Sequence, residues 1–156
     1  MNKKKRYWHE EVGYNYRLTN LQAAIGCAQL EKIQCFIDKR QWIKDKYNER
    51  LAGLSCVLPE DKPPARSVNW LYTILLPDNV QEVERDQLIV FLSKNKIDSR
   101  PVFYPLHAMP PYRSFARPTP NAESLSRRGM TLPSYYALKE NDIDRICGLI
   151  RQWLCK

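Results

Sequence analysis

Apolar side chains recur at Leu21, Ala24, Ile25 and Ala28, a spacing of i, i+3, i+4 and i+7 that places them on one face of a helix. Thr19 followed three residues later by Gln22 forms a capping-box pattern at its start. The periodicity runs on through Ile33, Ile37, Ile43, Tyr47 and Leu51 to a stop near Gly53. It predicts a long helix with a kink near Cys35, about 50 Å if unbroken. Ala23, Ala24, Gly26 and Ala28 are all small, and a glycine inside a helix costs about 1 kcal/mol against alanine. This face is therefore expected to receive another backbone at close range.

The pattern then changes period. After prolines at 59, 63 and 64, Val68, Trp70, Tyr72, Ile74 and Leu76 alternate strictly and predict a half-buried strand that ends at Pro77 and Asp78. Leu88, Ile89 and Leu92 share one face of a second helix over residues 85–95, and residues 97–104 read as extended. Five prolines between positions 105 and 120 leave no regular structure there, so an ordered surface loop or a lid is expected. A short helix over 121–128, a strand-like turn around Leu132 and Pro133, and a helix over 141–154 complete the chain. Trp70, Tyr72 and Trp153 are expected in the core. The fold class is α/β (α+β), a small sheet packed by helices that include one long N-terminal helix.

With 156 residues, 44% of them hydrophobic, the chain has the size of one domain with a modest core. The net charge of +8 suits anionic partners, but part of the excess lies at residues 3–6 and the rest alternates with acids along helices. Without a recognition motif, neither a nucleic-acid nor a membrane partner is expected. Five cysteines form no C-x-x-C pair, and the N-terminus shows no apolar leader segment; reduced thiols and a cytoplasmic protein are expected. Neither His9 nor His107 has a second ligand at zinc-type spacing, so no metal site is expected. The five glycines form no phosphate-cradling loop.

Four segments carry a resemblance. HEEVGYNYRLTNLQAAIGCAQLEKI, VNWLYTILL, SRPVFYPLHAMPPYRS and LSRRGMTLPSYYALKENDIDRICGLI occur here in order. Together they resemble the C-terminal region of the DegT/DnrJ/StrS family of sugar aminotransferases. The resemblance implies the C-terminal small domain of a fold-type I aminotransferase, with residues 1–19 as a basic tail and interface or cofactor loop and 20–156 as the domain proper. It implies pyridoxal phosphate (PLP) as cofactor, with nucleotide sugar and an amino-acid donor, glutamate by preference, as substrates. Family members are more than twice as long, and their first part supplies the lysine that forms the Schiff base. No lysine here stands in the family's Ser-x-Lys context, so no catalytic residue is assigned and the chain alone is expected to be inactive. Ser93-Lys94 and Asn95-Lys96 read as the basic end of a helix.

Taken alone, Asn15 is a turn residue and Arg17 a surface charge beside a helix. The resemblance instead makes Asn15 a contact to a cofactor phosphate held mainly by a neighbouring subunit. Arg17 then lies close to the same phosphate, or orients Asn15. Arg100, Tyr104, His107 and Tyr112 offer a guanidinium, two phenols and an imidazole, groups suited to sugar hydroxyls and a diphosphate. The resemblance places this loop at the mouth of the substrate pocket; otherwise His107 holds the loop by a hydrogen bond. His9 is equally able to brace its own loop. The expected assembly is a homo-oligomer or a complex with a complementing N-terminal aminotransferase chain. The alternative is a non-catalytic module that binds sugar nucleotide or dimerises with a relative.

Overall fold

The computed structural model describes residues 11–155; the basic run at residues 3–6, Trp8 and His9 lie outside them. The chain divides into two compact units, Met1–Gln34 and Cys35–Lys156.

In the first unit, an irregular segment leads into α1 (Asn20–Leu30). The capping box forms as its sequence predicts: the Gln22 amide donates to Thr19 Oγ1 at 3.3 Å, and the Thr19 amide donates to Gln22 Oε1 at 2.9 Å. Two orphan donors of the first turn are thereby satisfied. No α1 residue is buried, and Leu21, Ile25 and Leu30 are exposed. A Cβ added at Gly26 would meet no atom within 4 Å. The long helix is broken at residues 31–32, a few positions before Cys35. There the Lys32 amide turns back to Gln29 O at 3.1 Å, tightening the last turn before α2 (Ile33–Leu51) starts.

The second unit is built on an antiparallel sheet of β1 (Tyr72–Leu75), β2 (Arg100–Pro101) and β3 (Gly129–Leu132), in the order β1-β3-β2. Tyr72 faces Leu132 and Leu75 faces Gly129 across one ladder, while Arg100 faces Thr131 across the other. Helices α3 (Glu82–Lys94), α4 (Pro120–Arg128) and α5 (Glu140–Leu154) accompany it. Ile43, Tyr47 and Leu51 of α2, Leu88 and Leu92 of α3, and Ile143, Ile146 and Ile150 of α5 close over Tyr72, Ile74, Met130 and Leu132. The Tyr47 and Tyr72 rings stack with centroids 4.4 Å apart. Their hydroxyls donate to Pro133 O at 2.9 Å and Asn48 Oδ1 at 2.7 Å. Burial pushes both phenols well above their ordinary pKa, so they stay neutral donors.

Three expectations are corrected. The first strand covers four residues rather than the run from Val68 to Leu76. Asn69 adopts φ of 47°, held by bonds from its side-chain nitrogen to Gln41 Oε1 at 3.1 Å and Ser67 O at 3.2 Å. That left-handed residue breaks the alternation and turns Trp70 out, 60% exposed. Tyr72 is buried as expected, and Trp153 packs partly buried against the core. The turn around Leu132 is the end of β3, the central strand, which two-sided burial hides from an alternation test. The proline-rich loop contains two 3-10 turns, Leu106–Ala108 and Pro110–Phe115; Pro110, at the first position of the second, gives up no needed donor. Among the described residues, no helix is long and apolar enough to cross a membrane.

Candidate functional site

The first unit presents a polar pair on an exposed segment. Side chains alternate along Tyr14, Asn15, Tyr16 and Arg17; the two tyrosine rings stack with centroids 5.6 Å apart. Arg17 Nε donates to Asn15 Oδ1 at 3.1 Å. With the Asn15 oxygen engaged by a cation, the NH2 group is the part of this amide that can serve as a donor to a ligand. Both side chains are exposed.

In the second unit the loop between β2 and α4 is tied at two points. Tyr104 donates to Glu82 Oε1 at 2.9 Å, and this bond is the main reason its phenol lies above the ordinary pKa. His107 is held through both ring nitrogens, Nε2 at 3.2 Å from Glu123 Oε1 and Nδ1 at 3.5 Å from Thr119 Oγ1. Glu123 also accepts from the Thr119 amide at 3.2 Å, so one carboxylate starts α4 and orients the imidazole. His107 and Tyr112 line a cavity of about 510 Å³ whose walls include Leu106 and Phe115. Arg100, on the edge strand, pairs with Asp98 at 3.0 Å and lines a separate cavity of about 230 Å³ with Trp70 and Phe103.

The four substrate candidates thus divide. His107 and Tyr112 share a cavity, Tyr104 is turned toward α3, and Arg100 lies on the sheet. Sequence reasoning missed Glu82, Thr119 and Glu123, which hold this loop. Glu123 falls in the first turn of the helix expected over 121–128, whereas Glu82 precedes the helix expected over 85–95 and opens α3 in the structure; their pairing with Tyr104 and His107 spans 22 and 16 residues and leaves no local signal.

Residues 1–151 match the model of the DegT/DnrJ/EryC1/StrS aminotransferase family. The chain belongs to this family. GDP-perosamine synthase of Vibrio cholerae is 43% identical over 151 residues, 96% of this chain and 41% of that protein. The Caulobacter vibrioides protein of the same name is 40% identical over 157 residues, covering 99% and 42%. A solved DegT DnrJ EryC1 StrS aminotransferase from Brucella abortus superposes with a TM-score of 0.78 at 30% identity, over 98% of this chain and 40% of that one. The aminotransferase TlmJ from Streptoalloteichus hindustanus, at 24% identity and a TM-score of 0.81, shows the same fold. The chain spans about two-fifths of the length of the curated relatives it matches.

PLP is the cofactor of this aminotransferase family. An amide NH2 beside a guanidinium is a donor set whose chemistry suits a phosphate dianion, so the types of Asn15 and Arg17 fit the phosphate end of that cofactor. Lys44, the most buried lysine among the described residues, is paired with Asp61 at 2.6 Å.

Proposed function

We propose that this chain is the C-terminal part of an aminotransferase that moves an amino group from an amino acid, glutamate in this reading, to a keto sugar carried on a nucleotide. Aminosugar or polysaccharide synthesis is the corresponding pathway class. Similarity to relatives named GDP-perosamine synthase carries the reading and favours a guanosine diphosphate sugar.

When bound, PLP supplies the electron sink for amino-group exchange. The chain's own residues bind and orient. Asn15 donates to the cofactor phosphate, with Arg17 fixing the amide and adding positive charge. His107 and Tyr112 offer donors to the sugar and diphosphate; Tyr104 and Arg100, outside that cavity, are further substrate contacts in this reading. The Schiff-base lysine is contributed by a region outside this sequence, so the chain alone is inactive. A second copy or a complementing N-terminal chain completes the site across the exposed face of α1.

The test supplies the missing region in trans, from a relative whose own equivalent asparagine has been removed, and titrates the mixture with PLP and with GDP-perosamine. Asn15→Ala removes one hydrogen bond to a charged group, about 1.5–3 kcal/mol, and is expected to weaken cofactor retention roughly ten- to a hundredfold. His107→Gln is expected to raise the need for sugar nucleotide and leave PLP retention nearly unchanged. Equal effects of both substitutions on both ligands would end the residue assignment.

A further inference from the structure

Arg85 is wholly buried, an unusual place for a guanidinium unless every donor is used. Its donors are used in a specific way. Nη1 donates to the Ser126 carbonyl of α4 at 2.6 Å, while Nη2 donates to Glu82 Oε1 at 3.1 Å and Nε to Asp86 Oδ1 at 2.9 Å. Glu82 Oε1 is the same atom that receives the Tyr104 hydroxyl. Glu123, one helical turn before Ser126 on α4, holds His107. The loop is therefore fastened to α3 at Tyr104 and to α4 at His107, and a single buried side chain joins the two helices between those points.

We propose that Arg85 is a positioning residue that sets the relative placement of the Tyr104 phenol and the His107 imidazole. The proposal rests on the reading of those two groups as substrate contacts. A guanidinium suits the task because its planar fork reaches a carboxylate and a carbonyl at once, whereas an ammonium is a point charge that cannot hold both in fixed geometry. Neighbouring arginines secure the same corner of the fold. Arg128 Nη1 donates to Leu76 O at 2.8 Å, and Arg127 donates to Asp78 O at 3.1 Å. They tie α4 to the segment after β1, not to the loop. Among the arginines of the described residues, Arg85 is the one bonded to Glu82, the side chain that anchors Tyr104. The raised pKa of Tyr104 agrees with this arrangement: Glu82 drives it up and Arg85 partly offsets it.

The experiment labels the whole chain with ring-15N histidine and ζ-13C tyrosine and compares Arg85→Lys, Glu82→Gln and a distant control, Arg50→Met, which removes the cluster with Glu140 and Asp144. With two histidines in the chain, loss of one signal in His107→Gln assigns it; Tyr104→Phe assigns the phenol. The Tyr104 carbon and the His107 nitrogens are expected to shift together in Arg85→Lys and in Glu82→Gln, and to stay in place in Arg50→Met. If Arg85→Lys does not fold, Glu82→Gln, whose side chain is half-exposed, decides the matter. A His107 signal that stays fixed while Tyr104 shifts would overturn the proposal, as would equal shifts in the control. Titration with GDP-perosamine of the mixture completed by the missing region in trans separates the two claims: binding about three- to tenfold weaker in Arg85→Lys is expected from one misplaced hydrogen bond. Coupled shifts with unchanged affinity for this probe would leave Arg85 as the strut and defeat the substrate reading instead.

Discussion

Helices α1 and α5 carry the same kind of message and meet opposite fates. Both place aliphatic residues at helical spacing, yet Ile143, Ile146 and Ile150 of α5 are buried, whereas Leu21 and Ile25 of α1 are 73% and 59% exposed. Periodicity states which face must be covered; it does not state by what. For α5 the cover is α3 and the shared core of the same unit. For α1, the exposed small residues and the match to a family of much longer proteins fit a cover supplied by another chain or region, as proposed above. The contrast explains why a capped, well-formed helix can have no core of its own.

The largest test of this contrast is truncation on each helix. Ile150→Ala is expected to cost about 2–5 kcal/mol in chemical unfolding of the isolated chain, since it removes transfer energy and leaves a cavity. Ile25→Ala is expected to stay within about 0.5 kcal/mol, as an exposed substitution should. The order should change when the complementing region is added, because Ile25 then becomes an interface residue. A large loss from Ile25→Ala in the chain alone would show that α1 already has a partner surface within it.

The glycines sharpen the same comparison with a change of sign. A Cβ at Gly129, where α4 turns into β3, would sit 2.4 Å from the Leu125 carbonyl and 2.6 Å from Val102 Cγ2, so backbone must move. Gly129→Ala is expected to destabilise by about 1–3 kcal/mol. Gly26 has open space around it and lies inside a helix, so Gly26→Ala is expected to stabilise the chain by about 0.5–1 kcal/mol. Sedimentation at micromolar concentration completes the test. If the small-residue face of α1 exists for close approach to a second copy, the alanine that strengthens the helix should weaken self-association. Unchanged association would remove that explanation for Gly26.

These pairs also show what was legible in the sequence. The capping box, both ends of the α1–α2 segment, α5 and the body of α3 follow from local chemistry, and each is found within a few residues of its expected place. Misreadings arise where a distant contact decides. Asn69 is held in a left-handed conformation by Gln41, 28 positions away, and so Trp70 leaves the core. β3 is short and buried on both sides, so its role as the central strand comes from pairing with β1 and β2. At the candidate site, Asn15 and Arg17 were named from the motif, and their mutual hydrogen bond is a local event. His107 and Tyr112 do share a cavity, but the residues that orient the loop come from α3 and α4. Nothing in the spacing of Arg85 distinguishes it from a solvent-facing arginine at a helix start.

The smallest expected effect concerns acid. In the second unit, Asp61 is held below the usual carboxylate range, chiefly by its bond with Lys44 and then by the Ser67 amide. Glu140 is lowered by Lys46 and Arg50. A carboxyl whose folded pKa is depressed binds its proton more readily in the unfolded chain. Its contribution is therefore fully present above the unfolded pKa and is lost as pH falls through the folded one. Both groups are surface-facing, so each effect should be modest and weakened by salt. Thermal unfolding followed by the near-ultraviolet signal of the stacked Tyr47–Tyr72 pair should show a Tm that is flat near neutrality and declines below the ordinary carboxylate range. Asp61→Asn should lower the neutral plateau slightly and make the acid decline shallower, because the substituted side chain no longer titrates. A decline of unchanged steepness in Asp61→Asn would mean that the Lys44 pair does not couple protonation to folding, and the acid sensitivity would then rest on Glu140 and its partners at the start of α5.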